Sequence, residues 1–456
     1  MNTHGPTISA DVVQHVARYS LLDALRGRRS RRFGRGMSID AGPLTYASRH
    51  APQPLTELEE AILAFAACGI TGYDLADLAY GPGQGGSMLA GLVGRTVGSP
   101  DAINAVSLVV TNDEATYLLK RPQDFTPAEI PDVIRLAQQG DSLEAYRRSR
   151  SKIRNGRSAP PVQPGYNFNI NKWSLYARGG TYFLPINSMT AAYINVLLEA
   201  FEPAMGLFGF DERNFFRPAG ISRFAKSKGG PLDDSLSGGR VFTVQAIEMT
   251  LVESIGIEQG MLLQNIALMT QAMGLGGFPS FARHEYGWFE ALGFRMGSMP
   301  GSRYVGASRW MSFILRLLGR DQPYPYPLGL ECDGEVLLKP YCPPYYPSMK
   351  AAVEALVEYK FGRSGVYRSG EGEWKDPTGV TSQVAPPSDV AIAATVAYCE
   401  YLYNRYGRFP VYSAPFRTML GYQVTHVDVE FYDRFYRPEA LTDTQREHQA
   451  RWHNSR

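Results

Sequence analysis

IEQGMLLQNIALMTQAMGLGGF (Ile257–Phe278) decides how the rest of the chain is read. Ile257, Met261, Asn265, Leu268, Met269 and Met273 recur every three or four positions, the spacing of a helix face. Gly274 supplies the residue at which such a helix stops, because it accepts a left-handed backbone without strain. Apolar side chains lie on nearly every side of this segment. The pattern predicts a helix central to the core, ending in a glycine turn that leads into LGGF.

Working outward, TYFLPINSMTAAYINVLLEAF (Thr181–Phe201) reads as strand, turn and helix. AVSLVVTND (Ala105–Asp113) followed by ATYLLKRP (Ala115–Pro122) reads as two strands around a tight turn. In PLTELEEAILAFAACG, starting at Pro54, Thr56 and Glu59 have capping-box spacing. Ile62 and Phe65 give that helix an apolar face, and Gly69 stops it. Near the start, Val12, Val13, Val16, Ala17, Leu21, Leu22 and Leu25 predict a helix over residues 8–25 that ends at Gly27. The segment 141–165, with Arg147, Arg148, Arg150, Lys152, Arg154 and Arg157, reads as a solvated insertion, and 210–240 as loop. Beyond residue 300, Pro–Tyr runs alternate with helices near 349–360 and 387–405, and THVDVEFYDRFY (Thr425–Tyr436) alternates like a strand.

Composition bounds the function. The chain has 456 residues and a net charge of +2, so no global field recruits nucleic acid or a membrane surface. Cys68, Cys332, Cys342 and Cys399 are scattered without a CxxC pair, which favours a reducing compartment over a disulfide framework. No apolar run approaches membrane-spanning length, and the N-terminus lacks the apolar core of a signal peptide. These features predict a cytoplasmic protein.

Motifs with dedicated side-chain chemistry are missing from the pattern. The seven histidines form no HExxH and no metal-spaced pair, and no GxSxG elbow or GxxxxGK[ST] loop occurs. The expectation is therefore that no metal is bound. GPGQGG (Gly81–Gly86) matches GxGxxG, but the preceding YDLADLAY is too polar for a buried parallel strand, so it reads as a glycine turn. His284 and Glu285 read as a surface turn after the central helix. No catalytic residue is assigned, and any chemistry is expected to reside in a cofactor. GRRSRRFGRGM (Gly27–Met37) has five arginines in a short run. It is either a solvated basic surface or a cradle for a phosphate monoester, which arginine forks and a serine hydroxyl would hold.

Taken in order, RRSRRF, SPDAINAVSLVV (Ser99–Val110) and QNIALMTQAMGLGGF (Gln264–Phe278) resemble the nitroreductase family of FMN-dependent oxidoreductases. The hairpin TNDEATYLLKRP resembles the azoline (thiazoline and oxazoline) dehydrogenase branch. The resemblance implies an α+β fold with an antiparallel central sheet wrapped by helices. It implies an FMN-binding domain over 1–299 with an insertion at about 135–180, and a C-terminal extension over 300–456 packing on the core or a partner subunit. It places Arg28, Arg29, Ser30 and Arg32 at the FMN phosphate and ribityl chain, Pro100 and Asn104 along the flavin, and Gly276 and Gly277 at its N5 edge. Arg31 and Arg35 are left as solvated surface. The sequence departs from the family at Phe33, one residue early, at Val106 in place of glutamine and at Leu108 in place of tryptophan. Arg363 and Arg417 are candidates for a late phosphate contact. The resemblance further implies a homodimer with FMN at the interface, hydride transfer through N5 to or from a small-molecule or peptide substrate, and a possible NAD(P)H donor. A ligand-binding protein that keeps the fold without turnover is the alternative. Nucleic-acid binding through the two arginine runs is disfavoured by the near-neutral charge.

Overall fold

The computed structural model describes residues 10–78, 88–161, 171–282 and 284–453; GPGQGG lies outside them. The mixed α+β class is as expected, with helices and an antiparallel sheet drawn from separate stretches of chain.

The N-terminal helix is two helices, α1 (Ala10–Arg18) and α2 (Leu21–Gly27), because Ser20 adopts an extended backbone between them. Leu21, Leu22 and Leu25 are exposed on α2, and only Ala24 is buried. Helix α3 (Glu57–Cys68) starts with the expected capping box: the Thr56 hydroxyl accepts from the Glu59 N–H, and the Glu59 carboxylate accepts from the Thr56 N–H. Its Glu60 is buried and accepts from the Asn112 amide and the Thr181 hydroxyl, both at 2.8 Å, which fixes the helix to the sheet.

The sheet is built from β1 (Val106–Thr111) and β2 (Ala115–Leu119), then α4 (Ser142–Ser149) running into β3 (Arg150–Asn155), then β4 (Thr181–Ser188) and α5 (Thr190–Ala200). Helix α6 (Val244–Met273) follows and leads through Gly274, at φ +81°, into β5 (Gly276–Phe281). Helices α7 (Met349–Phe361) and α8 (Asp389–Tyr406) precede β6 (Phe416–Arg417), β7 (Leu420–Thr425), α9 (Val429–Phe435) and α10 (Asp443–Trp452). The strand order is β5–β7–β4–β1–β2–β3, with β6 also paired to β4, and every pairing is antiparallel. β1 and β4 are buried along their whole length, as expected of central strands covered on both faces.

Two readings are corrected. The basic segment 141–165 is not a solvated linker up to residue 155. It forms α4 and the edge strand β3, whose arginines are paired: Arg147 and Arg150 to Glu57 at 2.5 Å, and Arg148 to Glu144 at 3.2 Å. Charged residues on an edge strand also discourage pairing with another chain. Thr425–Tyr436 is not a strand beyond its first residue. The Asp428 carboxylate accepts from the Phe431 N–H at 3.0 Å and starts α9. The C-terminal stretch contributes β7, which lies between β5 and β4 inside the sheet.

Helix α6 is about 45 Å long at 1.5 Å per residue. One side packs in the main core through Leu251, Ile255, Leu262 and Ile266. The other is open among the described residues: Ile257 and Met261 are exposed, and none of those residues approaches the positions a Cβ would take at Gly256 and Gly260. The helix is therefore not buried all round, as its apolar sequence predicts.

Candidate cofactor site

The end of α2 sets the course of the arginine stretch. Arg28 leaves the helix in an extended conformation, its N–H still donating to the Ala24 carbonyl at 3.0 Å. The chain then runs extended to Gly34, which forms an isolated bridge with Val427. Extended backbone turns successive side chains to opposite sides, and Phe33 fixes the phase. Its ring is buried and stacks on Phe431 at 4.0 Å and on Trp173 at 6.0 Å.

Arg28, Arg29 and Ser30 face solvent, and neither guanidinium makes a hydrogen bond or ion pair among the described residues. Arg31, expected at the surface, is instead buried, with 2% of its area exposed. Its guanidinium donates to the Ala440 carbonyl and the Gln271 side-chain oxygen at 2.8 Å, and to the Gly27 carbonyl at 3.2 Å. Arg32 is half-buried. One terminal nitrogen donates to Asn171 Oδ1 and Ser174 Oγ, each at 2.7 Å, while the group lies over the rings of Phe278 and Trp173. Burial lowers the pKa of both Arg31 and Arg32, although a guanidinium stays charged. The buried Nε of Arg32 has no partner among the described residues.

The structure brings this stretch against the glycine turn after α6. A Cβ at Gly276 would stand 2.7 Å from the Arg31 carbonyl oxygen, and one at Gly277 would stand 2.5 Å from the Tyr422 ring. Only glycine lets the two segments approach so closely. β5 is the outermost strand of the sheet, so no strand pairs with its second edge among the described residues, and Gly276 and Gly277 themselves are buried.

Pro100 and Asn104 are not part of this assembly. Pro100 is exposed on a short 3-10 turn, Pro100–Ala102. Asn104 is buried and accepts from Arg95 Nε at 2.9 Å. Arg95 in turn pairs at 2.5 Å with Glu258 on α6, and both side chains are fully buried. Glu258 and Gln271 are separated by about 20 Å of helix axis, so the two sets occupy different regions of one chain. Val106 and Leu108 lie fully buried in β1. Asn104 and Arg363 instead line a cavity of about 470 Å³ with Tyr73, Phe125 and Tyr359. Arg417 faces Glu285 at 3.9 Å, and burial raises the Glu285 pKa. His284 sits at φ +54° before the helix that Glu285 begins.

Sequence reasoning missed one cluster. Glu59, His426, His448 and His453 place one ligand atom each within 4.8 Å of one another. They come from α3, from the residue after β7 and from the end of α10. The only local trace is the spacing of His448 and His453, within the range seen for paired histidine ligands.

No protein-family model matches this chain, and no curated protein does. Among solved structures, a "putative nitroreductase" from Ralstonia eutropha aligns over 60% of this chain and 75% of its own, with 12% identity and a TM-score of 0.30. A likeness that low carries no argument, so function has to be argued from the chain's own geometry.

Proposed function

We propose that this protein is an FMN-dependent oxidoreductase of nitroreductase fold that acts as a homodimer on a small-molecule or peptide substrate. One observation carries the reading: unpaired Arg28 and Arg29, with Ser30, lie on the segment whose next carbonyl touches Gly276. Bound FMN would accept and return hydride at its N5.

The chain's own residues would hold and orient it. Arg28 and Arg29 offer forked donors to a phosphate, and Ser30 offers a hydroxyl. Arg32 is held in place by Asn171, Ser174, Trp173 and Phe278, so its unpartnered Nε–H is a preorganised donor. Among the described residues, no strand pairs with the second edge of β5, and a flat ring system would lie along it beside Gly276 and Gly277. The Pro100–Asn104 turn lies too far away to serve the same ligand from the same chain. A second copy packed along the open side of α6 would supply it, which is why the homodimer belongs to the proposal. NADH or NADPH is the proposed donor. Among the described residues, no helix is long and apolar enough to cross a membrane.

The test is the visible spectrum of the purified protein, with extraction and mass analysis of any chromophore. Flavin absorbance and extracted FMN are expected, with occupancy falling in an Arg28→Ala, Arg29→Ala variant. A colourless protein that takes up no added FMN overturns the reading. A second reading, a binding protein without turnover, is favoured by the full engagement of Arg31 inside the chain. Bound flavin that neither NADH nor NADPH reduces would select it.

A further inference from the structure

Glu59 and His448 are almost completely buried, as is His426, while the His453 side chain keeps 18% of its surface exposed. We propose that these four residues form a structural, four-coordinate metal site of the kind that holds Zn2+, separate from the cofactor cradle and independent of the flavin reading.

His448 Nδ1 lies 2.7 Å from the Met273 carbonyl oxygen. A carbonyl only accepts, so Nδ1 carries the hydrogen, and a neutral ring then leaves Nε2 as a bare lone pair. His426 Nε2 lies 3.3 Å from the Pro54 carbonyl oxygen, which by the same reasoning leaves its Nδ1 bare. These two bare nitrogens face each other at 3.0 Å. His448 Nε2 also faces Glu59 Oε1 at 3.1 Å, and His453 Nε2 lies 3.2 Å from that same oxygen. Of the surrounding groups, Gln449 Nε2 reaches His426 Nδ1 at 3.3 Å. With both rings neutral, two nitrogen lone pairs face each other beside a carboxylate oxygen, which is costly in a buried space unless a proton or a cation lies between them.

A divalent cation would satisfy the set at once. Tetrahedral Zn2+ with bonds of about 2.0–2.1 Å to nitrogen and oxygen has ligand–ligand edges of about 3.3 Å. Three of the six edges, at 3.0, 3.1 and 3.2 Å, lie close to that value, and with all four ligand atoms within 4.8 Å of one another a small inward movement would close the set on an ion. The surrounding contacts also match. Metal-bound imidazoles usually donate their other N–H to a carbonyl or carboxylate, as His448 and His426 do here. Glu59 Oε2 is already occupied by the Thr56 N–H at 2.6 Å and hydroxyl at 2.9 Å, which leaves Oε1 to ligate alone. Imidazole and carboxylate donors suit Zn2+ among the common first-row ions, and four protein ligands leave no open position, the mark of a structural site. His453 gives the ion a path from solvent. The site would bind α10 and the end of β7 to the start of α3, beside the last residue of α6.

The experiment uses the full-length protein purified without chelator. Mass spectrometry is expected to find about one Zn2+ per chain. Chelator treatment should lower the melting temperature, and added Zn2+ should restore it. Co2+ added to the stripped protein should give the visible bands of tetrahedral coordination. His453→Ala, the substitution nearest solvent, should weaken Zn2+ binding at least tenfold. His50→Ala, outside the cluster, should leave binding unchanged. A protein that carries no metal and binds neither Zn2+ nor Co2+ after stripping overturns the proposal, because the cluster then shares a proton instead. Wild-type Zn2+ affinity in His453→Ala overturns it as well.

Discussion

The Arg31 guanidinium donates to the Gln271 side-chain oxygen at 2.8 Å, joining the extended stretch after α2 to the last turn of α6. Among the described residues, the guanidinium groups of neighbouring Arg28 and Arg29 touch nothing comparable. Substitutions along one short stretch should therefore divide sharply. Arg31→Met strands the Ala440 and Gly27 carbonyls and Gln271, at a cost of about 3 kcal/mol in denaturant unfolding. Arg28→Ala and Arg29→Ala should stay within about 0.5 kcal/mol in protein stripped of flavin. Equal effects at Arg31 and Arg28 would contradict this division.

Asn104 offers a second separation of structure from binding. Its side chain accepts from Arg95, whose guanidinium pairs with Glu258, and Glu258 also accepts from the Val106 N–H at 3.0 Å and the Ser99 hydroxyl at 2.7 Å. Removing one charge from a buried pair leaves the other uncompensated. Glu258→Leu should cost about 3–5 kcal/mol. Asn104→Ala, which loses a neutral acceptor and its own donors to the Val93 and Ala102 carbonyls, should cost about 1–3 kcal/mol. Both losses are expected in flavin-free protein, measured by urea unfolding. An Asn104→Ala variant of unchanged stability would show that this network does not depend on it.

Lys360 gives a pH dependence with a definite sign. Its ammonium is buried and donates to Asn195 Oδ1 at 2.8 Å, and burial lowers its pKa to about 8 against the pull of Glu199 and Asp101. In the unfolded chain a lysine titrates near 10.4. Between those values the unfolded state binds more protons, so this residue makes stability rise with pH, by up to about 3 kcal/mol across the window. The buried thiols of Cys68 and Cys342, whose pKa values burial raises to about 11 and about 12, work in the opposite direction. The difference between wild type and Lys360→Met isolates the lysine. Unfolding free energies from pH 7.5 to 10 should show wild type gaining on the variant as pH rises. Parallel curves would rule the effect out.

Legibility in the sequence followed the range of the forces involved. The capping box of α3, the β1–β2 hairpin, the strand and helix from Thr181, and the stop of α6 at Gly274 are decided within a few residues, and each was readable. The edge strand β3 was hidden because its residues are charged, and only the open edge of β2 makes them a strand. At Thr425–Tyr436 the alternation was real but one aspartate cap outweighed it. In the arginine stretch the composition was plain, but which arginine turns inward depends on the packing of Phe33. The histidine cluster spans Glu59 to His453, and the spacing of His448 and His453 alone could not show that the C-terminal fold brings them onto Glu59 and His426.

The proposed dimer makes the last prediction. Leu21, Leu22 and Leu25 on α2 are 65%, 60% and 50% exposed, and Ile257 on α6 is 63% exposed. α2 lies against α6. Residues 256, 257, 260 and 261 form one side of that helix, with two glycines that would let a second helix approach closely. An open apolar side of this kind on a well-packed core is what a self-complementary interface requires. Leu22→Glu with Leu25→Glu should convert a dimer to a monomer in sedimentation at micromolar concentration, with little loss of helix signal because both side chains are exposed. If the Pro100–Asn104 turn of a second copy completes the flavin site, the monomeric variant should also lose FMN, while Arg28→Ala with Arg29→Ala should lose FMN and remain a dimer. A wild-type protein that sediments as a monomer would defeat the two-copy site. A dimer that the glutamates leave intact would move the interface elsewhere.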